Sequence, residues 1–285
     1  MSKKLLITYV ITIILAFMIY SLHEKNRIKY TWNSNQVHDV TNKMITVTTY
    51  NIQYGKGIDN RVDLDRTIET LRALDSDIIS LQEIERYSVR SKFRDQVKII
   101  AKELEMNAVF YPSISYPGIY YGNAILSRFP IKSTEMIPFI NKKENRTAIL
   151  SKLDLLDGQF IYVMNTHLGL DQEERIVAIG LIYERLKEID EPILLMGDLN
   201  SLPKKQEYQI WNSLLTKSNL GTPLQTYYSQ DWQIDYIFHS REFIVNETSV
   251  AKSEASDHYP VSAVLSLQND PLIYSTGFSQ GLLLD

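Results

Sequence analysis

Residues 256–261 read Ser-Asp-His-Tyr-Pro-Val, and the apolar run VSAVLSL follows directly from Val261 to Leu267. An acid and an imidazole therefore stand side by side on the lip of a β-branched segment with strand character. The same arrangement recurs along the chain. MITVTTYNI (44–52) carries Asn51 near its end, and DIISLQ (77–82) runs into Glu83. FIYVMNTH ends in Asn165 and His167, ILLMGDLN in Asp198 and Asn200, and IDYIF holds Asp235 at its start. In open α/β sheets, ligands and reacting groups collect at strand ends. The pattern predicts several strands whose ends converge on one site.

Helical periodicity lies between these strands. In VDLDRTIETLRAL (62–74), Leu64, Ile68, Leu71 and Leu74 recur at helical spacing. Amphipathic helices are expected over 91–106, over 171–189, whose acidic first turn suits the helix dipole, and over 205–215. Further strands are expected at 107–111, 122–127, 131–139, 146–156, 160–167, 192–199, 235–239, 246–252 and 259–267. Residues 111–122, YPSISYPGIYYG, read as an aromatic-rich loop near the site. Helices mixed with strands in both βαβ and hairpin order predict an α/β fold of two mixed sheets with helices outside. No repeat of fixed period and no low-complexity block interrupts it.

Composition narrows the function. With 30 basic and 34 acidic residues the net charge is −4, which disfavours a protein that coats nucleic acid through a broad basic face. There is no cysteine, so disulfides, thiolate metal sites and cysteine nucleophiles are excluded. The candidate groups are carboxylates, amides and imidazoles. Carboxylate and carbonyl oxygens suit a hard divalent cation such as Mg²⁺, and His167 and His258 can exchange protons near neutral pH. Asp235, inside an apolar run, needs a partner if buried, and a histidine is an obvious one.

Residues 5–22, LLITYVITIILAFMIYSL, carry no charge and follow Lys3 and Lys4. Eighteen helical residues reach about 27 Å, enough to cross a hydrocarbon core. No A-x-A cleavage pattern appears. The reading is a membrane anchor or signal segment (1–22), a linker (23–43), a catalytic domain (44–268) and a tail (269–285). The anchor would hold the domain at the membrane, outside the cytoplasm.

Each polar stretch alone has an ordinary explanation as turn, cap or surface chemistry. In this order, however, TYNIQYG (49–55), SLQEIE (80–85), YGNAILSRFPI (121–131), RTAIL (146–150), NTHL (165–168), GDLNSLP (197–203), IDYIF (234–238) and SDHYPV (256–261) resemble the endonuclease/exonuclease/phosphatase superfamily. That group includes deoxyribonuclease I-like nucleases and neutral sphingomyelinases. The resemblance implies a four-layer α/β/β/α sandwich with the site at one end of both sheets. It implies metal binding by Glu83 with Asn51 and Asp257, the ion being Mg²⁺ with Mn²⁺ or Ca²⁺ as alternatives. It implies that Asp198 and Asn200 orient or deprotonate the attacking water. His258 would contact the phosphate and shuttle a proton, oriented by Asp235, with His167 as a second imidazole. Asn51, Arg146, Asn200, Asn123 and Tyr121 would line the phosphate site. One position departs: where some nucleases of the group carry an Asp two residues after the first-motif Asn, this chain has Gln53, which points to one principal metal. The expected enzyme is a monomeric Mg²⁺-dependent phosphoric ester hydrolase acting on a small or lipid-headgroup phosphodiester at the membrane. A tethered nuclease and a non-catalytic binding module on the same fold are the alternatives.

Overall fold

The structure, a computed structural model, describes residues 9, 12, 28–31, 44–155, 158–205 and 207–268. The proposed anchor, apart from Tyr9 and Thr12, and the tail lie outside the described residues. Among the described residues no helix is long and apolar enough to cross a membrane.

Two mixed sheets form the centre. The first is built from β1 (Ile28–Tyr30), β2 (Met44–Asn51), β3 (Ile78–Arg86), β4 (Asn107–Tyr116), β5 (Ile119–Ser127), β12 (Phe243–Val250) and β13 (Val261–Leu267), in the order β1-β4-β5-β3-β2-β13-β12. The second orders β10 (Thr216–Lys217), β11 (Asp235–His239), β9 (Ile193–Asp198), β8 (Phe160–His167), β7 (Arg146–Asp154) and β6 (Ile131–Phe139). Period-two alternation builds the layers. Ile45, Val47 and Ile78 face Leu194, Met196 and Val163 in the core between the sheets. Ile79 and Leu81 point outward against α1 (Leu64–Leu74) and α2 (Gln96–Glu103). Leu195 and Met164 point outward against α3 (Gln172–Leu186) and the 3-10 turn Gln209–Ser213. The result is the α/β/β/α sandwich.

Local chemistry explains where elements depart from the periodic reading. The helix expected over 91–106 begins only at Gln96. Asp95 caps it by accepting from the Lys98 N–H at 3.1 Å, while Lys92 and Phe93 take left-handed φ of 53° and 56°. The helix expected over 205–215 shortens to a 3-10 turn around Trp211, whose indole N–H donates to the Ile179 carbonyl at 3.2 Å. The loop expected over 111–122 is instead a hairpin. β4 and β5 pair through Tyr116 and Ile119 across Pro117-Gly118, with Gly118 at φ +79°, the positive φ a type II turn with proline at its first central position requires of the second. The span read as linker contains β1, which adds antiparallel to the free edge of β4. Its Tyr30 hydroxyl donates to Asp95 at 2.5 Å, where the buried Arg86 guanidinium also donates at 2.9 Å.

One glycine is dictated by the sheet. Gly197 has φ +148°, and a Cβ there would come within 1.9 Å of the Thr166 carbonyl oxygen on the neighbouring strand. Gly197→Ala is expected to combine this clash with backbone strain and cost about 3 kcal/mol or more, read as a lower midpoint in urea unfolding.

Candidate active site

The C-terminal ends of β2, β8 and β9 and the N-terminal ends of β7, β11 and β13 meet at one end of the sandwich. The parallel pair β8–β9 sets His167 beside Asp198. The antiparallel pair β11–β9 sets Asp235 opposite Asp198. These long-range pairings bring together residues far apart in the chain.

His258 is held from two sides. Its Nδ1 lies 2.9 Å from Asp235 Oδ2, and its Nε2 lies 3.8 Å from Asp198 Oδ2. The chain around it is tied back to the first motif: the Ser256 hydroxyl donates to the Asn51 carbonyl at 2.7 Å and accepts from the His258 N–H at 3.2 Å. Burial alone would depress the imidazole. The carboxylates of Asp235 and Asp198, together with the Asp235 hydrogen bond and Asp257, reverse this and hold it up at about 10. His258 is thus an imidazolium at neutral pH, with Nδ1–H donated to Asp235. Its folded value lies above the unfolded 6.5. The stabilisation it contributes is therefore complete below pH 6.5 and is lost as pH rises toward 10. Asp235→Asn removes the main supporting charge. Histidine NMR is expected to show the His258 ring protonated at pH 8 in the wild type and largely neutral in the variant.

Asp198 is fully enclosed. It accepts from Asn51 Nδ2 at 3.1 Å and from the Asn200 N–H at 2.9 Å. Burial, then the Asp235 carboxylate, raise it to about 7, against the pull of His258 and these hydrogen bonds. His167 is equally buried. Burial first, then Arg146 and His258, push it well below its ordinary value, so it is neutral. Its Nδ1 meets the Arg146 guanidinium at 3.3 Å, a group that only donates, so the proton sits on Nε2, 3.3 Å from Asp198 Oδ2. Asn200 Nδ2 reaches the Leu168 carbonyl at 2.9 Å and lies 3.2 Å from His167 Nε2. Arg146 is paired with Glu144 at 2.6 Å.

Glu83 is placed by a defect in the ladder. The register between β3 and β5 shifts between Leu81 and Ile84, and Glu83 takes φ 57°. Such a bulge re-aims a side chain. Its carboxylate accepts from Asn51 Nδ2 at 3.1 Å and lines a 380 Å³ cleft with Tyr121, Tyr116 and Arg90. Protein packed around it raises its carboxyl, the Asn51 hydrogen bond and His258 oppose that, and the Asp257 carboxylate raises it further. Two carboxylates close enough to repel are a donor set that a divalent cation relieves, and all the donors are hard oxygens. Asp257 is steadied by Gln53 Nε2 at 2.9 Å. A second grouping, Asp198, Asp235 and His258, has ligand atoms within 4.8 Å of one another, and there His258 Nδ1 already lies 2.9 Å from Asp235 Oδ2. Tyr121 borders Glu83 and Arg146, and burial raises its hydroxyl. Asn123 stands slightly apart: its amide nitrogen bridges the sheets to the Thr147 carbonyl at 2.9 Å.

Two features had no role assigned from the sequence. Gln82 and Asn165 form a buried bridge between the sheets beneath the site, Nε2 to Oδ1 at 2.7 Å, and Asn165 donates on to the Ala124 and Leu81 carbonyls. Their position near strand ends was the available signal. Tyr227 stands edge-on to His258, with ring centres 5.2 Å apart, and stacks on Trp232 at 5.9 Å. The loop carrying them has no periodicity to mark it, although Trp232 lies only three residues before Asp235.

Residues 48–258 match the endonuclease/exonuclease/phosphatase family. The Escherichia coli (strain K12) protein YbhP, itself uncharacterized, is 25% identical over 250 residues, spanning 78% of this chain and 96% of that one. The human nocturnin catalytic domain superposes with a TM-score of 0.66 at 20% identity, covering 79% of this chain and 95% of that one. The mannosyl-6-phosphatase Bt3783 of Bacteroides thetaiotaomicron does so with a TM-score of 0.60 at 20% identity, covering 78% and 100%. At these identities the two structures speak to the fold.

Proposed function

We propose, since the chain belongs to the endonuclease/exonuclease/phosphatase family, that it is a divalent-metal-dependent phosphodiesterase working at a membrane surface on a small or lipid-headgroup phosphodiester. The observation that carries the reading is the convergence of an imidazolium, a carboxylate with a value near neutrality, a guanidinium and a glutamate bordering a cleft at one end of the sheets. Phosphoryl transfer asks for in-line positioning and charge neutralisation rather than covalent catalysis.

The residues divide the work. Asp198, with Asn200 beside it, accepts a proton from the attacking water, for which a value of about 7 is well matched. His258 donates from Nε2 to a phosphate oxygen or to the departing alkoxide, while Asp235 keeps its Nδ1 proton in place. His167 holds Arg146 and Asp198 in register, and Arg146 offsets charge on the phosphate. Glu83, with Asn51 and Asp257, would hold the cation, Mg²⁺ first among Mg²⁺, Mn²⁺ and Ca²⁺, and the cation would supply further charge neutralisation. The cleft by Glu83 and Tyr121 leaves room for a substrate group on one side, and Tyr227 stacked on Trp232 flanks His258 on the other.

The stacked Tyr227–Trp232 pair also favours a second reading, a nuclease, because such a face can stack on a base. The test is turnover of bis-p-nitrophenyl phosphate by the purified full chain with each metal, followed by phospholipid vesicles and single-stranded nucleic acid offered side by side. Release of a phosphorylated headgroup with nucleic acid untouched is the expected result. Cleavage of nucleic acid alone establishes the nuclease, and no turnover with any metal leaves a binding module.

A further inference from the structure

Arg146, the guanidinium set against the phosphate, already holds an anion. Its Nη1 lies 2.6 Å from Glu144 Oε1 and 3.3 Å from His167 Nδ1. The Arg146 side chain is 8% exposed and that of Glu144 39%, so the carboxylate reaches a buried guanidinium from the more open side. The contact is one of charge: neither Arg146 Nε nor Glu144 Oε1, both buried, completes a hydrogen bond among the described residues. A planar fork suited to bidentate phosphate binding is thus left partly unsatisfied, with one carboxylate oxygen against it.

The place of Glu144 is built. It stands in the turn before β7, where the Asn141 N–H donates to Asn145 Oδ1 at 3.1 Å and the Lys142 N–H donates to Glu174 of α3 at 2.8 Å. It borders two cavities. One is the cleft that holds Glu83 and Tyr121; the other, of 340 Å³, runs along Arg146 to Gly169 and Glu174. A phosphate oxygen that reaches Arg146 therefore meets Glu144, which must swing aside into one of these spaces or stay beside the new anion. The other charges on the second cavity are engaged or exposed. Asp171 caps α3 and Glu174 accepts from the Lys142 N–H. Lys142 and Lys143 are exposed, and Lys142 also nears Glu173 at 4.0 Å, so water and salt screen them. Arg146 and Glu144 meet through buried atoms, where screening is weaker.

We propose that Glu144 is a specificity residue that favours phosphodiesters over phosphomonoesters at this site. This rests on the diester reading above and adds to it the group that selects. At pH 8 a diester carries one negative charge and a monoester about two, its second proton leaving near pH 6. Repulsion from a carboxylate grows with the charge it faces. A monoester is held less well, whether offered as substrate or formed as product, and the product leaves. Glu144 acts through Arg146 and takes no part in making or breaking a bond.

Glu144→Gln and Glu144→Ser remove the charge and Glu144→Asp keeps it, each in the full chain, with circular dichroism as the check of folding. The ratio of kcat/KM on bis-p-nitrophenyl phosphate to that on p-nitrophenyl phosphate is read at pH 8 with Mg²⁺. The expected result is a shift of about tenfold or more toward the monoester in both uncharged variants, and a wild-type ratio in Glu144→Asp. Binding gives a readout that needs no turnover. In ³¹P NMR titrations of the chelated proteins, inorganic phosphate should bind about tenfold more tightly to the uncharged variants than to the wild type, and dimethyl phosphate should gain less. An unchanged ratio overturns the proposal, as does phosphate binding that is unchanged or weaker in the uncharged variants; weaker binding would make Glu144 a prop for Arg146. If the wild type turns over neither ester, the hydrolase reading falls, while the phosphate titration still decides whether Glu144 repels the second charge.

Discussion

Glu83→Gln is expected to lower kcat/KM on bis-p-nitrophenyl phosphate by about a thousandfold or more. Losing the anionic metal contact removes several kcal/mol of charge stabilisation, and each 1.36 kcal/mol is about tenfold in rate. The fold should survive. The glutamine keeps an oxygen to accept from Asn51 Nδ2, and it no longer has to be ionised at a site where surrounding protein raises the carboxyl. Thermal unfolding supplies a readout independent of turnover. Because an ion that binds only the native state stabilises it by mass action, added Mg²⁺ should raise the Tm of the wild type and leave that of Glu83→Gln unmoved. A variant that keeps both wild-type turnover and the Mg²⁺-dependent shift would remove Glu83 from the metal site.

Asp198→Asn is expected to separate stability from activity. Turnover should fall by about 10²–10⁴, the usual worth of a positioned general base. The chelated protein should nonetheless become more stable at pH 8. In the wild type, the folded value of about 7 lies above the unfolded value of 3.8. The folded state therefore favours the protonated acid, and stability is lost as pH rises from about 4 through 7. The neutral amide avoids that loss; its single oxygen can keep the contact from the Asn200 N–H, while its nitrogen takes the place of the oxygen that accepted from Asn51. A gain of a few degrees in Tm at pH 8 is expected, each kcal/mol being worth about 2–4 °C in a domain of this size. The gain should shrink as the pH is lowered toward 4. A variant less stable than wild type at pH 8 would show that Asp198 serves the fold rather than taxing it.

Much of the architecture was legible because burial writes a period of two or 3.6 into the chain. The strands at 131–139, 160–167 and 235–239 coincide with those in the structure, since each has one or both faces in a core. The departures come where a cap, a turn or a free strand edge overrides the periodic reading. The α2 helix is shortened by a cap that also serves Arg86 and Tyr30. The 111–122 segment pairs as a hairpin because its tyrosines and isoleucines flank a Pro-Gly turn. β1 is three residues that gain strand structure only by meeting the free edge of β4.

The candidate site divides in the same way. Which polar groups gather at the site was written in residue type and order, because carboxylates, amides and imidazoles at the lips of apolar strands cost too much to be placed there without partners. Which group meets which was decided by register and by one bulge. A shift between Leu81 and Ile84 turns Glu83 toward the cleft, and β11 pairing with β9 puts two carboxylates side by side so that one is raised. His167 lies between Arg146 and Asp198, and Asp257 turns to Gln53. Protonation states follow from those distances and from burial, neither of which a linear sequence contains. The sequence by itself determined most of the strands and helices and the polar groups at their ends, because both follow from local pattern; the tertiary structure decided the layering, the pairings and the charges, because these depend on residues tens to hundreds of positions apart meeting where water is excluded.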